Sequence, residues 1–130
     1  MPQVSIVLRC MDGWIVNSRD KGCRGERDAA QALASVGITA TRSQQFCGRT
    51  GVADLVTDTR LHIEVKFTER LNPYKFLAQA IADARPTKRT PVVLMRSVRA
   101  DWLVLVRLSD LRALASEVHN RPIPDVQPAD

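Results

Sequence analysis

Histidine, cysteine and long apolar runs are all scarce in this chain, and each shortage removes a class of function. Only two histidines occur, His62 and His119, so no Ser/His/Asp or Cys/His arrangement for nucleophilic catalysis can be argued. The three cysteines, Cys10, Cys23 and Cys47, are odd in number and lack Cys-x-x-Cys spacing. They imply neither a disulfide framework nor a zinc site, and read as reduced, structural or incidental thiols. No apolar run is long enough to span a bilayer, and no basic start, apolar stretch and small-residue cleavage site marks a signal peptide. A cytoplasmic location is the resulting expectation. No internal repeat or interdomain linker interrupts the chain.

The 130 residues suffice for one domain with a real core, since chains of this length commonly bury about two-thirds of their unfolded surface. A hydrophobic content of 45% suits a globular protein. The net charge of +5 and the isoelectric point near 9.6 favour a polyanionic partner whose affinity falls as salt rises.

The densest signal lies in two short apolar segments, Val52-Ala53-Asp54-Leu55-Val56 and Leu61-His62-Ile63-Glu64-Val65-Lys66-Phe67. Leu61, Ile63, Val65 and Phe67 alternate with His62, Glu64 and Lys66, the period of a strand, so Glu64 and Lys66 project from the face opposite the apolar one. The turn-like Thr57-Asp58-Thr59-Arg60 predicts a hairpin that brings Asp54 to Glu64. Paired carboxylates suit Mg²⁺, which prefers hard oxygen ligands and keeps positions for water and phosphate. A neighbouring ammonium orients a water or offsets charge on a phosphate. A solvated strand face produces the same Glu-x-Lys triplet, so its company matters. His62 shares this face and is expected as a solvated histidine at the edge.

Lys21-Gly22-Cys23-Arg24-Gly25-Glu26-Arg27-Asp28 opens a predicted helix whose Ala29, Ala30, Leu33 and Val36 recur at helical spacing, with Gly37 as its stop. Glu26 lies on the inward stripe of that helix. Either the helix dipole favours an acid there, by roughly 0.3–1 kcal/mol when exposed, or Glu26 points at the paired carboxylates.

Gly25-Glu26-Arg27, then Gly51-Val52-Ala53-Asp54, then Glu64-Val65-Lys66 resembles the PD-(D/E)XK nuclease superfamily, and within it the archaeal-type Holliday-junction resolvases and their small phage-encoded relatives. The similarity runs from about Gly22 to Arg107, and Ala53 stands where the motif's name has proline. The resemblance implies a restriction-endonuclease-like α/β domain over 21–118, with a central mixed sheet flanked by helices. From the residues themselves 1–20 read as an N-terminal extension, and 119–130, with Pro122, Pro124 and Pro128, as a disordered tail. It implies that Asp54 and Glu64, with the backbone carbonyl of Val65, bind Mg²⁺ or Mn²⁺. Lys66 then assists the attacking water and Glu26 completes the site. DNA is the implied partner, branched DNA above all, with a homodimer matching a junction's two-fold symmetry and no organic cofactor. Two other readings stay open: a catalytically inactive nuclease fold that binds DNA, and a nuclease acting on RNA or on restriction-type DNA sites. The chain has no separate specificity domain for the last.

Arg24, Arg27, Arg42, Gln45, Arg49, Gln79 and Arg96 are the candidate DNA contacts, and Lys75, Lys88 and Arg89 join the arginines as possible phosphate ligands. The polar segment Ser43 to Gly51 is either a DNA-contacting loop or a plain connector. Related nucleases often carry a glutamine on the helix after the Glu-x-Lys strand, which is the reason for including Gln79; by spacing alone it reads as a polar surface residue.

The remaining elements follow in order. Ile38 to Arg42 reads as a strand rich in β-branched residues. Asn72-Pro73 starts a helix with Tyr74, Leu77, Ile81 and Ala84 as its buried stripe. Pro91 to Met95 is a strand covered on both faces, reached by a crossover from the Glu-x-Lys strand and parallel to it. Trp102 to Val106 predicts a fifth strand, and Ser109 an N-cap for a helix to about Val118. The first 20 residues are either an appendage or a short hairpin through Met11-Asp12-Gly13.

Overall fold

A computed structural model of the chain describes residues 18–43, 53–119 and 121–122. A mixed five-stranded sheet runs in the order β1-β2-β3-β4-β5, with β1 at Ala40–Arg42, β2 at Leu55–Thr57, β3 at Leu61–Phe67, β4 at Thr90–Arg96 and β5 at Leu103–Leu105. Helix α1 is Ser18–Ala34, α2 is Pro73–Ala84 and α3 is Leu111–His119. The expected hairpin is present: β2 pairs antiparallel with β3, Leu55 opposite Ile63. β3 and β4 are parallel in a seven-residue register from Leu61↔Thr90 to Phe67↔Arg96, with α2 as the crossover. β5 returns antiparallel along β4.

Alternation in β3 sorts its side chains between two packed layers. Leu61 and Ile63 join Ala29, Leu33, Ile38, Leu55, Val92 and Leu94 in one core, roofed by α1 and α3. On the opposite face Val93 and Met95 pack on Ala80 with Phe76 and Leu77 of α2. Both faces of β3 are therefore covered, and the polar set of the strand sits beneath α2 or at its margin.

Local chemistry sets the helix ends. Gly37 adopts a left-handed φ of 86°, its N–H bonds to the Ala34 carbonyl, and the Ile38 N–H reaches back to Leu33. This is the paired-bond termination that a left-handed glycine permits. Val36, expected in the apolar stripe, falls in that turn and is exposed. Asn72 caps α2 as expected, its side chain accepting from the Lys75 N–H at 3.3 Å. Tyr74, expected inside the α2 stripe, is 89% exposed, whereas Ala80 and Ala84 are buried. The small alanine side chains allow α2 close to β4, so the contact seam passes through them and its first turn stands clear. Ser109 lies inside a 3₁₀ turn, Leu108–Asp110, and so does not cap α3.

Helix α1 begins within the segment expected as an extension; the hairpin expected through Met11-Asp12-Gly13 lies outside the described residues. At the other end, Arg121 forms a two-pronged ion pair with Asp58 at 2.9 Å, so this part of the expected disordered tail is fastened to the β2–β3 turn. Residues 123–130 lie outside the described set.

Candidate active site

Hairpin register puts Asp54 beside Glu64. The Asp54 N–H bonds to the Ile63 carbonyl at 3.0 Å, and Asp54 Oδ2 accepts from the Val65 N–H at 2.8 Å. The two carboxyl groups share a hydrogen bond, and the Asp54 carboxyl is pushed up to about 7. Burial is the main cause, followed by the negative charge of Glu64; the Val65 N–H opposes them, and Glu26 adds a smaller push upward. A second carboxylate at hydrogen-bonding distance penalises the ionised form of Asp54.

Glu26 reaches the same neighbourhood from α1. It is 7% exposed, and its Oε1 accepts from Arg42 Nε at 3.1 Å. A second Arg42 nitrogen donates to Cys23 Sγ at 2.8 Å. Gly25 explains how the helix comes so close: a Cβ at that position would lie 2.8 Å from the Cβ of Phe67. Glycine thus seats α1 directly on β3 and brings the next residue, Glu26, to the carboxylate pair.

Lys66 projects at the margin of α2. Its Nζ donates to Gln79 Oε1 at 3.0 Å and lies 5.4 Å from the centre of the Phe76 ring. Gln79 is thereby part of this constellation, on an exposed side of α2.

His62 is placed differently from its expectation as a solvated edge residue. It is 1% exposed, and Nε2 lies 2.9 Å from Oε1 of the equally buried Glu64. In a strand covered on both faces, a ring two residues before Glu64 is pressed into the interior and meets its carboxylate there. Its period-two spacing on the Glu64 face was the available signal; burial of that face was not legible. His62 restrains the Glu64 side chain.

Several expected DNA contacts are engaged in the fold. Arg96 binds Asp28 and lies over Phe67 and Trp102 at 5.6 and 5.8 Å, while Trp102 Nε1 donates to the same Asp28 oxygen at 3.0 Å. This cluster clamps α1 to the sheet and gives Arg96 a structural use. Arg42 is the partner of Glu26. Arg24 and Arg27 are exposed on α1. Gln45 and Arg49 lie outside the described residues, as does the rest of the expected loop from Gln44 to Gly51.

Among the described residues, no group of three or more His, Cys, Asp or Glu side chains is arranged to hold a metal ion. Arg42 engages Glu26, and His62 and the Val65 N–H each engage an oxygen of the other two acids.

A Holliday junction resolvase, Hjc from the archaeal hyperthermophile Archaeoglobus fulgidus, has a similar solved structure. The match has a TM-score of 0.50 and 28% identity, covering 66% of this chain and 72% of that one. No curated protein matches the chain. The sheet order, the hairpin that joins Asp54 to Glu64 and the lysine two residues on form the α/β restriction-endonuclease-like arrangement. A family model described as phage putative PDDEXK endonuclease matches residues 17–127, and the chain belongs to that nuclease family.

Proposed function

We propose that the protein is a Mg²⁺-dependent endodeoxyribonuclease, with Mn²⁺ able to substitute, that cuts branched DNA such as a Holliday junction as a homodimer in the host cytoplasm. The observation that carries this reading is the Asp54–Glu64 pair, two hard oxygen donors on neighbouring strands with Lys66 beside them. The donor set fits a divalent cation: the shared proton and the raised Asp54 carboxyl mark excess negative charge in a partly dry place, which a cation relieves. Asp54, Glu64 and the Val65 carbonyl would hold the ion, with Glu26 completing the set after exchanging Arg42. A divalent ion supplies charge neutralisation on phosphate and acidifies water.

The chain's own residues do the rest. Gln79 restrains the Lys66 ammonium, which is then in place to orient a water or stabilise charge growing on the phosphate oxygens. His62 fixes the Glu64 rotamer. Rigid strands keep these groups within the narrow tolerances that such chemistry demands.

Hjc is described as a Holliday junction resolvase, and its likeness supports the choice of branched DNA. Two-fold pairing suits a substrate needing two symmetric cuts. An apolar edge made by Leu103, Val104, Leu108 and Leu111 is exposed along β5 and the turn after it, and supports self-association. Labelled four-way junction, flap, linear duplex and RNA, each with Mg²⁺ or EDTA, test the activity. The junction should be cut fastest, and only with the metal; preferred cutting of RNA would overturn the substrate assignment. Light scattering should find a dimer at micromolar concentration, and a monomer both with and without junction DNA would remove the symmetric scheme.

A further inference from the structure

At the far end of α2 from Lys66, a cavity of about 340 Å³ is lined by Arg85, Lys88, Arg89 and Arg107, with Asp110 as its only acid. Asp110 is taken by Arg107 at 2.7 Å, and Arg89 Nη1 donates to the Thr59 carbonyl at 2.8 Å. Arg85 and Lys88 have no ion-pair partner among the described residues. The cavity therefore carries an uncompensated positive charge, and its shape is held by the fold. Thr87 Oγ1 donates to the Ala84 carbonyl and accepts from the Arg89 N–H, and Lys88 adopts a left-handed φ of 58°. Glycine fits that conformation more easily than lysine.

The surface between cavity and active site is continuous. Lys75, Ala78, Gln79, Ala82 and Arg85 are all exposed at helical spacing along α2. Gln79 holds Lys66, the two alanines leave a low path, and Asp83, at the edge of the row one turn beyond Gln79, is the only acid of α2. Lys66 pairs with Met95, and Leu61 with the cavity residue Thr90, so the two ends lie about 16 Å apart at roughly 3.3 Å per strand residue. A phosphodiester backbone laid along this path covers the distance in a few nucleotides, since neighbouring phosphates of one strand lie farther apart than the roughly 3.4 Å axial rise.

We propose that this exposed side of α2 is a track for the phosphodiester backbone, leading from Lys66 to a second phosphate-binding pocket formed by Arg85, Lys88, Arg89 and Arg107. The ligand is a DNA phosphate a few nucleotides from the scissile one. The proposal rests on the nuclease reading above, and adds a remote grip that sets how much flanking DNA a substrate needs.

Binding in EDTA tests the pocket apart from the chemistry. Anisotropy with a 30-base-pair duplex (roughly 100 Å at 3.4 Å per step) is compared for the parent, Arg85→Glu/Lys88→Glu, and Arg112→Glu on α3 across the sheet as a charge control. The double variant should bind about tenfold or more weakly, with a log–log salt slope shallower by about 0.9 for each phosphate it no longer neutralises; Arg112→Glu should match the parent. Circular dichroism melts confirm that each variant is folded. An unchanged affinity and slope in the double variant overturns the track while leaving the nuclease assignment intact. If the parent itself fails to bind DNA, the nuclease reading fails. Titration with inorganic phosphate separates the sources: saturable binding that disappears in the double variant without any change in DNA slope identifies a free-anion site and also overturns the track.

Discussion

Asp54→Asn and Glu64→Gln should bind DNA and fail to cut it. Each substitution preserves shape but takes a negative charge from the paired acids, so Mg²⁺ is held weakly and hydrolysis slows by at least about a hundredfold, the scale of removing one aligned electrostatic partner from a reacting site. Affinity for DNA in metal-free buffer should be retained or rise, because a carboxylate no longer repels the phosphate. Lys66→Ala should also suppress cutting, yet leave Mn²⁺ binding by calorimetry close to the parent, since its ammonium is no metal ligand. Glu26→Gln should fall between them, its carboxylate being shared with Arg42. Single-turnover cleavage of a four-way junction reads all four variants. Parent-like cutting by Asp54→Asn at the same Mg²⁺ concentration would falsify the site assignment.

The second large effect is a reversal of pH dependence by metal. The Asp54 carboxyl titrates near 7 in the fold against 3.8 ordinarily. Its protonated form is thus the one the fold prefers. The stabilisation it provides is complete below pH 3.8 and is lost as pH rises through 7. At roughly 1.36 kcal/mol per pH unit the upper bound is about 4 kcal/mol, and sharing of the proton with Glu64 and partial solvent access reduce it. Without metal, melting temperature should therefore fall between about pH 4 and 8, by an amount on the order of 10 °C or less. Asp54→Asn should flatten this slope. Mg²⁺ has the opposite preference, for the ionised acid, so its affinity should rise with pH through neutrality with release of a proton. Calorimetry in two buffers of different ionisation enthalpy measures that proton. Identical melting profiles for parent and Asp54→Asn across that pH range would refute the shared-proton account.

What was legible before the structure was whatever depends on near neighbours in sequence. Alternation from Leu61 to Phe67 specifies a strand, Thr57 to Arg60 a turn, Asn72-Pro73 a helix start and Gly37 a stop. The parallel β3–β4 pairing followed from two apolar runs separated by a helix. Gln79 was singled out by family likeness rather than by spacing, which pointed to the surface; its bond to Lys66 is what the structure adds.

Side chains whose role depends on distant partners were not legible. Arg96 is 68 residues from Asp28, and Trp102 is 74; no local pattern joins them. His62 looked solvated because alternation distinguishes the two faces of a strand but not whether the second is covered. Tyr74 fitted a helical stripe as well as Leu77 did. The alanines that bring α2 against β4 decided which stripe turned inward, and small residues attract little notice in a search for bulky apolar ones.

The spacing at Gly25 has a consequence for how this protein tolerates change. The atom opposing an added methyl is the Cβ of Phe67, which every residue but glycine also possesses, so trimming the aromatic ring does not make room. Any side chain at 25 has to be accommodated by lifting α1, and the next residue on that helix is Glu26. Overpacking of this sort typically costs about 1–3 kcal/mol, an amount a domain often survives. Position 25 is therefore where intactness and competence separate: an alanine there should leave a chain that passes tests of folding and solubility while its helix glutamate stands too far out to serve.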